Sequence, residues 1–204
     1  KDARKYKRSV IFIVVGDKKT PKETAAYCAG LAKRSGIRVE YFSIDRQEKY
    51  LKRFQALGRH IPYNCIERRD IGFVYAYELG CETMITMDDD NLRVTDDFLS
   101  AHQVTGERLC DVVSSSTGWL NVCAELKERH GRTFYHRGFP MEKRNVKETW
   151  KRIKKIIRPV ANAGLWLGDP DVDAIERLYW TNSPTEATAY TGKRPIALAE
   201  GTWS

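Results

Sequence analysis

The chain has 204 residues, 42% hydrophobic and 30% charged, which suits one globular domain or one domain with an appendage. No apolar run approaches the roughly 20 residues of a bilayer span, and the basic start Lys1–Arg8 leads into only six apolar residues, Val10–Val15, too few for a signal peptide. The five cysteines are scattered and form no CxxC pair, which argues against a zinc site or disulfide framework and fits a reducing cytoplasm.

The run Val10-Ile11-Phe12-Ile13-Val14-Val15, ending at Gly16-Asp17, reads as a buried strand of a parallel sheet. Thr20-Pro21-Lys22-Glu23 then predicts a helix start, with Thr20 as cap, Pro21 at the first position and Glu23 closing a capping box. That helix runs through Ala25, Ala26, Ala29, Leu31 and Ala32, and Gly36 ends it. Arg38–Ile44 is a second strand. Asp45 is expected to cap the next helix, with Glu48 three residues on and Gly58 closing it. Asn64 and Glu67 open a third helix that stops at Gly80, and Thr83–Met87 reads as a third strand. Farther on, Val146, Trp150, Ile153 and Ile157 would form the apolar face of a helix over Val146–Arg158, with basic residues on the rest.

Alternating strands and helices imply a Rossmann-like α/β fold: a mixed, mainly parallel sheet flanked by helices. Ligands of such open sheets bind beyond the carboxyl ends of the strands. Gly16-Asp17, Asp45 and Asp88–Asn91 occupy those ends and are expected to meet at one rim. The three adjacent carboxylates Asp88-Asp89-Asp90 repel one another. A divalent cation, Mn2+ or Mg2+, bound to a diphosphate would hold them together, since hard cations take oxygen ligands. The formal net charge of +8 favours anionic partners without choosing among nucleic acid, lipid headgroups and phosphorylated small molecules.

A strand ending in a short Asp-rich motif, preceded by Arg68-Arg69-Asp70-Ile71-Gly72, resembles the GT-A glycosyltransferase fold with its DxD motif. The resemblance implies that Asp88 and Asp90 serve the metal, that Asp88 and Asp89 serve the nucleotide sugar, and that Arg69 contacts phosphate or nucleotide. Two later segments, Phe134-Tyr135-His136-Arg137-Gly138-Phe139-Pro140 with Lys143-Arg144, and Ala163-Gly164-Leu165-Trp166-Leu167-Gly168-Asp169-Pro170-Asp171-Val172-Asp173-Ala174, are similar to those of the plant reversibly glycosylated polypeptides, the UDP-arabinopyranose mutases. In that family the arginine matched by Arg137 is implicated in reversible glycosylation, and Arg144 matches a second arginine. The segment Val14-Val15-Gly16-Asp17-Lys18-Lys19-Thr20-Pro21 is closer to the glycosyltransferase-like STELLO proteins.

Each candidate also has a plainer role. The Asp-rich stretch could be a solvated turn, Asp17 and Asp45 could be turn or cap residues, and Arg69 could be a solvated residue of a first helical turn. A cation is poorly placed there against the helix dipole, which favours a bound anion as its reason. Arg137 stays protonated and is a poor nucleophile on general grounds, so binding of diphosphate or acceptor is its safer role. Asp169 and Asp171 are candidates for acceptor binding or a general base, against a Pro-containing turn. Trp166 could stack on a sugar or fill a core. His60, His102, His130 and His136 lack metal-ligand spacing, although His136 adjoins Arg137.

The sequence therefore predicts one GT-A-like domain, with a nucleotide-binding half over 1–115 and an acceptor or sugar half over 116–204 that lacks a carboxyl-terminal segment. The expected activity is metal-dependent glycosyl transfer from a nucleotide-diphosphate sugar, UDP-linked, to an unidentified acceptor. The alternatives are a UDP-sugar mutase and a non-catalytic sugar-nucleotide or nucleic-acid binding protein. Nucleic acid is the weaker partner because no aromatic stacking motif interleaves the basic residues. Self-association stays open.

Overall fold

Residues 11–15 and 38–42 form strands because their β-branched and aromatic side chains suit a pleated, half-buried surface. In the computed structural model, which describes residues 2–88, 96–102, 106–127, 131, 133–164, 171–180, 189–190 and 192–204, the chain divides into two compact units, Lys1–Gln103 and Val104–Ser204. The class is mixed α/β with small sheets. No helix among the described residues is long and apolar enough to cross a membrane.

The first unit opens with a short helix α1 (Asp2–Lys5), strand β1 (Ile11–Val15), helix α2 (Thr24–Ser35) and strand β2 (Arg38–Phe42). β1 and β2 pair in parallel from Ile11 opposite Arg38 to Val15 opposite Phe42, with α2 as the crossover. The expected helix start at Thr20 and Pro21 is not where α2 begins. The Thr20 hydroxyl accepts the Asp17 N–H at 2.7 Å in a tight turn, four residues before α2 begins at Thr24. Glu23 precedes α2 without a side-chain cap. Gly36 does end α2: it takes φ 63°, a left-handed conformation that costs glycine little, and its N–H reaches the Ala32 carbonyl.

Helix α3 (Ile44–Leu51) follows β2 directly. Its cap is Ser43, whose hydroxyl accepts the Arg46 N–H at 3.3 Å, and not Asp45, which lies inside the first turn. Gly58 sits within the next helix, α4 (Gln55–His60), instead of closing α3. A turn of 3-10 helix, Ile66–Arg69, leads into α5 (Asp70–Glu78), and the last described helix of the unit is α6 (Phe98–His102). Phe42, Leu51, Ile61 and Ile71 make the core, with Tyr50 and Tyr75 packed against Phe42. A Cβ at Gly72 would lie 2.9 Å from Val15 Cγ2, so glycine is what lets α5 lie close against β1.

Thr83–Met87 forms no strand. Its residue types suit a pleat, but a strand needs a partner ladder. Met84 and Met87 are exposed, and Ile85 is only half-buried.

The second unit is built on β3 (Arg108–Ser115). After a 3-10 turn at Val122–Glu125 come β4 (Leu126–Lys127), a further 3-10 turn at Met141–Lys143, and β5 (Trp150–Ile157). Helix α7 (Ala174–Trp180), β6 (Ala189–Tyr190) and β7 (Ile196–Leu198) complete it. β3 is central, antiparallel to β5 and parallel to β7, while β4 pairs antiparallel with β6. The helix expected over Val146–Arg158 is replaced by β5. Apolar residues at 150, 153 and 157 fit helical spacing, whereas only 153 and 157 share a face of a strand; the three β-branched isoleucines in the run Ile153–Ile157 favour the ladder with β3. Cys123, Leu126, Phe134 and Val172 form the core beside Tyr190.

Candidate functional site

The carboxyl ends of β1 and β2 are tied together by backbone and by one buried amide. The Gly16 N–H donates to the Phe42 carbonyl at 3.0 Å. The Gln47 side chain, fully buried, donates to the carbonyls of Gly16 at 2.6 Å and Phe42 at 2.8 Å. Its own Oε1 accepts from Arg68 Nε at 2.9 Å and Nη2 at 2.5 Å. Asp17, at the end of β1, accepts the Lys18 N–H at 2.7 Å and the Asn64 N–H at 2.6 Å, which fastens the loop before the 3-10 turn to the strand end. Asp45 is exposed on the first turn of α3.

Arg69, at the head of α5, donates to Asp88 Oδ1 at 2.6 Å and to the Thr86 hydroxyl at 3.3 Å. Two predicted residues 19 positions apart are thus brought into contact. The carboxylate offsets a cation that the helix dipole disfavours. Asp88 is a hard oxygen donor of the kind a divalent cation takes, and Arg69 engages one of its two oxygens. Among the described residues no three His, Cys, Asp or Glu side chains gather as a metal-binding group. Asp89 and Asp90, like Asp169 and Trp166, lie outside the described residues.

In the second unit the segments around 136 and 172 meet edge to edge. His136 and Val172 form an antiparallel bridge, and the Arg137 N–H donates to the Asp171 carbonyl at 3.0 Å. The Arg137 guanidinium lies 3.0 Å from the Asp171 carboxylate, with its side chain 72% exposed. Arg144 is held differently. It pairs with Asp173, lies 3.9 Å from Glu176, and is only 10% exposed. Its carbonyl accepts the Tyr135 hydroxyl at 2.5 Å, and its guanidinium sits 5.2 Å from that ring. Asp173 Oδ1 also accepts the Glu176 N–H at 2.9 Å, at the start of α7.

These contacts set the local acidities. The Glu176 N–H and then Arg144 hold the Asp173 carboxyl below its ordinary range. Burial pushes Glu176 up, opposed by Arg144. Burial, then the positive charge of Arg144, lowers His136, while Asp171 works the other way. His136 Nε2 lies 3.4 Å from the Ser204 hydroxyl. Burial, helped by Glu176, pushes the nearby Cys123 thiol up to about 12, which keeps it from serving as a thiolate nucleophile.

Of the residues expected from sequence, Arg69 meets Asp88, Arg137 meets Asp171, and Gly16 and Asp17 sit together at the end of β1. Nothing in the sequence marks Gln47 or Glu176 as part of these networks, and it presents Arg68 only as the neighbour of Arg69. The one sequence signal for Arg68 is the paired arginine at a helix start. Compared with models of known protein families and with curated protein sequences, the chain matches none of them.

Proposed function

We propose that the chain is a metal-dependent glycosyltransferase of GT-A type that uses a nucleotide-diphosphate sugar, UDP-linked, as donor. The observation that carries this reading is the Arg69–Asp88 contact at 2.6 Å, in the same unit as the parallel β1–β2 pair. It joins a phosphate-binding side chain to the first carboxylate of an Asp-rich motif. Asp88, with Asp90, would hold Mn2+ or Mg2+, which supplies charge neutralisation for a departing diphosphate. Arg69 would turn from Asp88 toward the nucleotide, and Gly16, Asp17 and Asp45 would border it. Asp88 carries the carboxylate chemistry that such a metal needs.

A mutase-type sugar interconversion is the second reading, and it draws on a separate observation: Arg137 and Arg144 are each paired with a carboxylate from the 171–176 segment. The exposed Arg137 guanidinium would suit a sugar-linked diphosphate in isomerisation as in transfer, while the buried Arg144 would brace the segment that presents it.

Calorimetry with UDP and Mn2+ tests the shared step. Binding is expected in the native chain and should weaken at least about tenfold in Asp88→Ala and in Arg69→Ala. Absence of binding, or binding indifferent to both substitutions, would sink the proposal. Product analysis with a panel of UDP-sugars then separates transfer or hydrolysis from ring interconversion.

A further inference from the structure

On the α3–α4 side of the first unit lies a cleft of about 410 Å³. That volume falls within the range of small-molecule sites, about 300–1,000 Å³. Its walls include Glu48, Lys52, Arg59, Ile61, Tyr63 and Arg68, so cations outnumber carboxylates among the side chains that shape it. The single carboxylate, Glu48, already accepts the Tyr63 hydroxyl at 2.7 Å. The Tyr63 ring is itself covered by cations: Lys18 Nζ lies 3.8 Å from its centroid and the Arg68 guanidinium 4.2 Å. With its ring so engaged, Tyr63 makes a poor stacking platform, and the charges of Lys52, Arg59 and Arg68 set the sign of what the cleft would take.

Arg68 is the decisive side chain. It is only 4% exposed, and among the described residues no carboxylate pairs with it. Its hydrogen-bond acceptors among the described residues are all neutral. Nε and Nη2 are well satisfied by Gln47, but Nη1 reaches the Ile61 and Pro62 carbonyls only at 3.4 Å each, at the long edge of hydrogen bonding. A guanidinium cannot shed its proton, and buried charges are ordinarily paired. An anion in the adjoining cleft would supply the countercharge that these neutral partners do not.

We infer that this cleft is a metal-independent binding site for a small phosphate-bearing molecule, with Arg68 at its inner end and Lys52 and Arg59 at its mouth. The inference does not rest on the glycosyltransferase reading, since it needs neither Asp88 nor a divalent cation.

The test is an NMR titration of the isotope-labelled full chain with inorganic pyrophosphate, in EDTA and at low salt. Arg68 is buried and its loss risks the fold, so the exposed pair is replaced instead, in a Lys52→Ala/Arg59→Ala double variant. Saturable shifts are expected at amides of residues 48–68. The dissociation constant should rise at least about tenfold in the double variant and stay within about twofold in Arg69→Ala. Absence of saturable shifts, an unchanged constant in the double variant, or an equal response to sulfate at matched ionic strength overturns the inference. Loss of binding in Arg69→Ala also overturns it, by assigning the anion to the strand-end site. Pyrophosphate binding in EDTA alongside no UDP binding with Mn2+ would leave this site standing and remove the proposed function.

Discussion

Arg69–Asp88 in the first unit and Arg144–Asp173 in the second are the same chemical pair built in opposite ways. Arg69 reaches an exposed carboxylate on a segment without regular structure. Arg144 is sunk among Tyr135, Asp173 and Glu176, with its Nε buried and without a hydrogen-bond partner among the described residues. An exposed pair gains little in water and can be exchanged for a ligand at small cost, whereas removing one member of a desolvated pair strands the other. The first pair is built to be re-partnered, and the second to hold the 135–144 and 171–176 segments together.

The largest expected effect follows directly. Arg144→Leu leaves the carboxylates of Asp173 and Glu176 without their cation and should cost about 3 kcal/mol in urea unfolding. Arg69→Leu should cost no more than about 1 kcal/mol. Equal losses in the two variants would erase the distinction. In the first unit, rigidity lies instead in the packing beneath Arg69. Gly72→Ala drives a methyl against Val15 at 2.9 Å, and overpacking of this kind costs about 1–3 kcal/mol. The helix propensity gained by alanine, about 1 kcal/mol, offsets only part of it. A net loss near 1 kcal/mol is expected, and a calorimetric melting point at or above that of the native chain would show that α5 slides freely on β1.

A smaller effect separates the units by pH. The folded-state value of His136 is lowered below its ordinary 6.5, chiefly by burial and then by Arg144. Between those two values the unfolded chain binds more protons, so this contribution to stability is complete above about pH 6.5 and is lost as pH falls toward the folded value. Asp173, also lowered, extends the acid loss to pH values below the ordinary carboxylate range. His136→Gln should flatten the dependence near neutrality while leaving the carboxylate limb in place. An unchanged profile in that variant would mean that His136 does not report on the Arg144 network.

What the sequence carried and what it hid divide along similar lines. The parallel pair β1–β2 was legible because a β-branched run and a stretch carrying Val39, Tyr41 and Phe42 flank an alanine-rich segment ending in Gly36, and each cue is local. The β5 strand was not, because Trp150, Ile153 and Ile157 satisfy helical spacing, and only the ladder with Val112 and its neighbours decides between the periods. The same missing information made Thr83–Met87 look like a strand. Ser43 displaced Asp45 as a cap because both residue types cap well and only two positions separate the cap from a residue inside the first turn. At the candidate sites, the charged members Arg69, Asp88, Arg137, Arg144 and Asp171 were visible as residue types in motif-like segments. The neutral organiser Gln47 was not, since nothing local marks a glutamine that bridges two strand ends to Arg68 21 positions away.

The smallest structural effect should accompany a large functional one. Arg137 is mostly exposed, and its carboxylate partner Asp171 also reaches solvent. Arg137→Ala is therefore expected to move the unfolding free energy by no more than about 0.5 kcal/mol. Its backbone N–H to the Asp171 carbonyl survives the substitution, so the bridge between the two segments stays intact. If Arg137 engages the sugar-linked diphosphate, UDP-sugar turnover should nevertheless fall at least about tenfold. Arg137→Lys should recover only part of that loss, because an ammonium keeps the charge but not the two-pronged geometry. Full activity in Arg137→Ala would leave the Arg137–Asp171 pair as an ordinary surface contact and would place all ligand recognition in the first unit. Retained stability with lost turnover would mean that the second unit, too, carries one pair free to change partner beside one that is fixed.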